Sequence, residues 1–305
     1  MKYYRFSTFT TSYYFPEIDA DTVFLYGLYS AYGNKLSRWY WCKFQQSRFV
    51  RSLTSVKEDR LPFPYAQIRE LCGSEAILSF NMGSPGEAQK IRLLGYIPSS
   101  KQPFFAKFSQ KPEAMQLSKH EVEVLSLLQD TRLVPRLYNS KIEENFVYLQ
   151  TEYVQGHRPY DTRLTNQVVD FLGKLSSFHY PNDGKTDEAS SLRTCLSHGD
   201  FCPWNMLVQP DGSLRMIDWE MADERIVGYD IFTWLLNVAG LVTGKIPLYH
   251  IIEKNRKHIM RYFIALQISD YTPYLRRFVV QQMEYQKQKN RQHLLARYQE
   301  LYEQL

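Results

Sequence analysis

The chain is expected to be an α+β protein in which a small strand-rich unit with one main helix precedes a larger, mostly helical part. Three observations lead there. With 305 residues, 44% of them apolar, it is long enough for one large or two moderate domains with a substantial core. Between residues 76 and 154, short apolar runs alternate with turn residues, the pattern of strands. From residue 165 onward, apolar residues recur at three- and four-residue steps, the pattern of helices.

Composition excludes several classes. Fourteen Gly and 14 Pro rule out collagen-like or low-complexity character. Lys+Arg 37 against Asp+Glu 32 gives a mild net charge of +5, so no nucleic-acid partner is expected. Cys42, Cys72, Cys195 and Cys202 form no CxxC pair and read as reduced thiols. Cys195, His198 and Cys202 fit no common zinc spacing. The first residues hold no continuous apolar segment of the kind that targets secretion. The longest apolar-rich run, 231–242, is shorter than the roughly 20 residues that cross a bilayer. No membrane span and a cytoplasmic location are the resulting expectations.

Taken in order, residues 1–75 are rich in Tyr, Phe and Trp and irregular in pattern, and their rings read as core. Residues 21–32 are expected to form a helix opened by Asp21 or Thr22. The PFP at 62–64 is a break, and 65–72 reads as a short helix closed by Gly73. Strands are expected at 76–80, 89–97 and 103–109, the first two joined by NMGSPGEA (81–88). A helix follows at 117–129, then strands at 141–145 and 146–154. A helix at 165–180 leads to a polar loop, 181–191. Residues 197–220 read as strand and turn, with PDG (210–212) marking a hairpin. The last helix is expected over 274–305, packing against the body.

The chemistry concentrates in HGDFCPWN (198–205) and IDWE (217–220). Phosphoryl transfer needs a carboxylate to accept a proton from the attacking hydroxyl. It also needs a divalent cation, held by hard oxygen ligands, to neutralise phosphate charge. The hairpin between the two motifs lets Asn205 and Asp218 converge on one Mg²⁺, with Asp200 close by to accept the proton. His198 reads as scaffolding for the loop. Glu220 reads equally as a further ligand or as the partner of a basic residue. Asp230, in VGYDIF, reads as an anchor for the loop or a cap on the next helix.

This arrangement resembles the protein kinase catalytic loop, with Gly199 in place of its Arg and Trp219–Glu220 in place of Phe-Gly. HGDxxxxN followed by IDWE is similar to the signature of the aminoglycoside phosphotransferase and choline kinase-like family. The resemblance covers about residues 76–240. It implies a two-lobed protein kinase-like fold that uses ATP or GTP with Mg²⁺ and transfers the γ-phosphoryl group to a hydroxyl of a small molecule. Its parts would be an N-terminal extension (1–75), a nucleotide-binding N-lobe (76–154) and a C-lobe with catalytic loop and acceptor site (155–305). In that frame Asp200 is the catalytic base, and Asn205 and Asp218 are the metal ligands. Lys107, on a strand, reaches the phosphates and is held by Glu121 on the following helix, with Lys90 as the rival lysine. No GxGxxG is present. Gly83 and Gly86 either let backbone N–H groups approach phosphate or form an ordinary hairpin turn. TEYVQGH (151–157) matches the linker whose backbone binds adenine, through Glu152 and Val154, with Gly156 giving hinge freedom.

Two features narrow the acceptor. No A-P-E segment follows Asp218, which leaves little room for a docked peptide. Residues 221–305 hold twelve basic against eight acidic residues, a net of +4. A polycationic aminoglycoside is disfavoured beside like charge. A neutral or anionic hydroxyl compound, such as a sugar or a glycan precursor, is favoured. The alternative is a catalytically inactive kinase-like protein that binds nucleotide or acts as a scaffold, which the irregular glycine loop favours.

Overall fold

A computed structural model describes residues 1–17, 20–29, 35–159, 163–180, 191–238 and 246–305. Most of the expected polar loop 181–191, the end of the expected helix 21–32 and the end of the 231–242 run lie outside the described residues. The chain divides into two compact units. One is Met1–Ser126 with Pro135–Tyr153, and the other is Leu127–Val134 with Val154–Leu305.

The first unit is built on a sheet. Its elements are β1 (Lys2–Ser7), β2 (Ser12–Pro16), a 3-10 helix (Ala20–Leu28), α1 (Lys35–Gln46), α2 (Arg48–Leu53), β3 (Ser55–Lys57) and α3 (Tyr65–Cys72). They continue with β4 (Ile77–Asn81), β5 (Ile91–Ile97), β6 (Gln102–Ser109), α4 (Pro112–Leu128), β7 (Leu137–Ile142) and β8 (Val147–Glu152). Among the described residues the sheet has eight strands in the order β3-β1-β2-β4-β5-β6-β8-β7, and each pairing is antiparallel.

The N-terminal segment expected to be irregular supplies three of these strands. Side chains alternate across a strand, so Tyr3 enters the core with Ile68, Phe80 and Tyr148, while Tyr4 and Phe6 enter a second core with Phe15, Tyr26, Trp41 and Phe44. Where successive residues are buried on opposite faces, at Tyr3–Tyr4 of β1 and Tyr14–Phe15 of β2, the polar alternation is interrupted, and the sequence reads as patternless there. The segment expected to be a helix from Asp21 forms the tighter 3-10 helix. The helix from Tyr65 ends at Gly73 with φ 98°, as the glycine indicates. α4 starts earlier than the expected 117, with Pro112 in its first turn, where a missing N–H costs nothing. The expected strand at 141–145 is shifted upstream to β7, and Glu143 N–H bonds Phe146 O (2.9 Å) in the turn.

The second unit holds α5 (Asn166–Leu175), β9 (Thr194–Ser197), β10 (Met206–Val208), β11 (Leu214–Met216), β12 (Asp223–Ile226), α6 (Tyr229–Val238), α7 (Leu248–Ala265), α8 (Thr272–Gln288) and α9 (Gln292–Glu303). Thr165 caps α5 by accepting the Val168 N–H (3.3 Å), and its buried face is Val168, Val169, Phe171, Leu172 and Leu175. β10 and β11 form the expected hairpin, with Gly212 at φ 82° in the turn. β9 pairs with β12. The single helix expected over 274–305 is two. Asn290 takes φ 54°, its N–H bonds Lys287 O (3.1 Å), and Arg291 N–H bonds Gln286 O (2.9 Å). That pair of bonds is a Schellman ending, for which Asn is a sequence signal second only to Gly.

Candidate phosphoryl-transfer residues

In the first unit, Lys107 stands on β6 between Arg92 of β5 and Leu149 of β8. Its Nζ donates to both carboxylate oxygens of Glu121 on α4, at 2.8 and 2.7 Å. Both residues are buried. A second pair explains why they meet. Ser109, two residues on from Lys107 and on the same strand face, contacts Ser118, one helical turn before Glu121, with the hydroxyls 2.7 Å apart. This serine pair fixes the helix register on the strand, and the sequence reading overlooked it. Lys90, the rival lysine, lies just before β5 and is buried.

Gly83 and Gly86 lie in the β4–β5 connection with φ 67° and 148°. Asn81 Oδ1 accepts the Gly83 N–H at 2.6 Å. A Cβ at Gly83 would stand 2.5 Å from Lys90 O, so the loop backbone lies directly against the strand it leads to. Lys111 Nζ donates to Gly86 O (2.7 Å). Glu152 ends β8, where its N–H bonds Arg136 O (2.9 Å).

In the second unit, Val154 is buried at its start. Gly156 has a different reason from hinge freedom. A Cβ there would stand 2.6 Å from Val208 O, because His157 and Val208 form a bridge. The close approach of two backbones requires glycine.

The HGDFCPWN motif is held from several sides. Asp230, on α6, accepts the N–H groups of His198 (2.7 Å) and Gly199 (3.1 Å) with its two oxygens. It therefore anchors the loop. His198 Nδ1 accepts the Asp200 N–H (3.3 Å), so Nε2 carries the proton and donates to Ile217 O (3.0 Å). Both ring nitrogens are thus engaged in scaffolding. Asn205 Nδ2 donates to Asp200 O (3.1 Å) and Oδ2 (2.9 Å). Cys202 Sγ donates to the other carboxylate oxygen, Oδ1 (3.4 Å), a contact the sequence reading did not anticipate. Burial first, and Asp200 second, push the Cys202 thiol up, so it stays a neutral donor. Asp230 is pushed up to about 6 by burial, against the two N–H bonds it accepts.

Ile217 N–H bonds Asn205 O (2.8 Å), which joins the two motifs by backbone immediately before Asp218. Asp218 has left-handed φ 70° and ψ 57°. A carboxylate oxygen of Asp218 lies within 4.8 Å of one of Glu220. The Asn205 amide nitrogen is committed to Asp200, which leaves the amide oxygen. Asn205, Asp218 and Glu220 each offer oxygen, a donor type that suits a hard cation such as Mg²⁺ and not a thiophilic one.

Residues 185–244 match the model of a family described as the phosphotransferase enzyme family. No curated protein matches the sequence. An amicoumacin kinase, hAmiN, solved with AMP-PNP, Ca²⁺ and Ami, is similar in structure with TM-score 0.51 and 10% identity, over 78% of this chain and 86% of that one. A choline kinase, LicA, from Streptococcus pneumoniae aligns with TM-score 0.49 and 15% identity, over 77% of this chain and 95% of that one. The chain has a protein kinase-like fold, and its segment 185–244, which carries HGDFCPWN and IDWE, is similar to the phosphotransferase enzyme family.

Proposed function

We propose that the chain is a Mg²⁺-dependent small-molecule kinase that moves the γ-phosphoryl group of ATP or GTP to a hydroxyl. A neutral or anionic acceptor, such as a sugar or glycan precursor, is favoured over a polycation by the net +4 of residues 221–305. The observation that carries the reading is the grip on Asp200. Asn205 and Cys202 donate to its two carboxylate oxygens, and Asp230 holds the backbone of the two residues before it. A carboxylate so fixed is oriented before substrate arrives, which is what a proton acceptor at a reacting hydroxyl requires.

In the proposed reaction Asp200 orients the acceptor hydroxyl and takes its proton. The acceptor oxygen bonds to the γ-phosphorus as the bond to the β-phosphate oxygen breaks, and the nucleoside diphosphate leaves. Lys107, with its ammonium fixed by Glu121, binds the α- and β-phosphates. Asn205 and Asp218, with Glu220 as a further candidate, would hold Mg²⁺, which when bound neutralises phosphate charge. Glu152 and Val154 bind the adenine through their backbone, and Gly83 and Gly86 admit N–H groups to the phosphates. Catalysis is then positioning and electrostatics.

The test is a phosphoryl-acceptor screen over sugars, amino alcohols and aminoglycosides with Mg·ATP and Mg·GTP, run on the parent and on Asp200→Ala. The parent is expected to transfer phosphate. The variant is expected to keep the thermal shift given by nucleotide and to lose turnover by at least about 10²-fold. Turnover retained by Asp200→Ala refutes the assignment. Nucleotide binding with no transfer to any acceptor moves the chain to the inactive, binding-only alternative.

A further inference from the structure

From residue 22 to residue 57 the sequence contains no Asp or Glu, and its charges are Lys35, Arg38, Lys43, Arg48, Arg51 and Lys57. The centre of this stretch is α1 and α2, which adjoin each other. α1 buries Trp41 and Phe44 in the aromatic core. Leu36, Trp39 and Lys43, spaced to share one helix face, are exposed, Leu36 by 71% and Trp39 by 58%. α2 buries no residue, and Phe49 and Leu53, one turn apart, are 72% and 70% exposed. Large apolar groups thus stand in water on two helices whose own charges are all basic, with Glu17 the acidic group nearest Arg48 and Arg51, around Tyr4.

Exposed apolar side chains on two adjoining helices call for a partner, and the charge selects its kind. A second copy of the chain presenting the same face would bring like charges together. An acidic protein surface would meet the charge, yet four bulky apolar side chains need somewhere to bury. A lipid surface with anionic headgroups meets both needs. Aromatic and aliphatic side chains enter the boundary between headgroups and acyl chains, while Lys and Arg stay with the phosphates.

We propose that the α1–α2 surface docks this protein on an anionic lipid bilayer, with Leu36, Trp39, Phe49 and Leu53 inserted at the interface and Lys43 and Arg48 among the headgroups. None of these residues belongs to the phosphotransferase assignment, so the proposal stands or falls separately from it.

The experiment is co-sedimentation of the full chain with vesicles of phosphatidylcholine alone and of equal parts phosphatidylcholine and phosphatidylglycerol. Binding is expected to the anionic vesicles, at least roughly tenfold stronger than to phosphatidylcholine, and to weaken as salt is raised from about 0.1 M to about 1 M. Trp39→Ser with Phe49→Ser is expected to lower the partition coefficient at least roughly tenfold. Lys43→Gln with Arg48→Gln should lower it by roughly tenfold or more, and this pair serves if the first does not fold. Equal binding to both vesicle types, or undiminished binding by folded variants, overturns the proposal. So does a dimer in sedimentation equilibrium that Trp39→Ser with Phe49→Ser converts to monomer.

Discussion

Asp230 is a carboxylate shut away from water, and its charge is costly there. Burial raises its pKa from the ordinary 3.8 to about 6, even though His198 and Gly199 both donate to it. The folded state therefore holds a proton on this group between pH 3.8 and about 6, where the unfolded chain releases it. The stabilising share is fully present below 3.8 and is lost as pH rises through about 6. The difference is about 3 kcal/mol at 1.36 kcal/mol per pKa unit. Asp230→Asn has no such slope. The stability margin of the parent over this variant, measured by urea unfolding, should shrink as pH is raised from 4 to 7, and a margin that widens contradicts it. At the same scale, Asp218→Asn is expected to abolish turnover by weakening the metal set, read by activity at increasing Mg²⁺; full activity in the variant removes Asp218 from that role.

The HGDFCPWN loop and its neighbouring hairpin form one element held by backbone contacts as well as by the side chains of Asp230 and His198. Gly199 makes this visible. Its φ is 82°, and a Cβ would lie 2.0 Å from Met221 O and 3.2 Å from an Arg225 guanidinium nitrogen. The obstacle is backbone, so it cannot swing aside as a side chain would. Gly199→Ala should therefore cost about 2 kcal/mol or more, seen as a lowered urea midpoint, and should lower kcat by displacing Asp200. A variant as stable and active as the parent shows that the loop has room. The α4 helix has an analogous fastening in Ser109 and Ser118, but that one uses side chains. The proximity of HGDFCPWN to IDWE was legible because spacing along one hairpin is a local property. The serine pair was not, because Ser-x-x-Glu on a helix acquires meaning only opposite a particular strand.

On the scale of the whole molecule, residues 1–57 are part of the first unit's architecture. β2 pairs with β4 through Tyr13–Asn81 and Tyr14–Phe80. The Tyr3 ring lies 5.7 Å from those of both Tyr65 and Phe80. Deleting residues 1–57 would leave β4 with an open edge and strip apolar cover from Phe80 and Ile68. The truncated chain is expected to aggregate, measured by the soluble fraction on expression and by light scattering. A soluble truncated protein with an unchanged melting midpoint shows that the segment is not needed for the core.

The sequence by itself determined the local features: the α+β class, the strands and helix of residues 65–109, the Gly73 helix boundary, and the closeness of HGDFCPWN and IDWE along one hairpin. These follow from chemistry and periodicity within a few residues of one another. Only the tertiary structure decided that the aromatic N-terminal segment supplies strands to the sheet, because β1 and β2 bury successive side chains on opposite faces and so lose the alternating signature there. Only it decided that Gly156 is forced by Val208 and that Cys202 donates to Asp200. Each of these depends on which distant or folded-back group arrives at a position, and a linear pattern contains no record of that arrival.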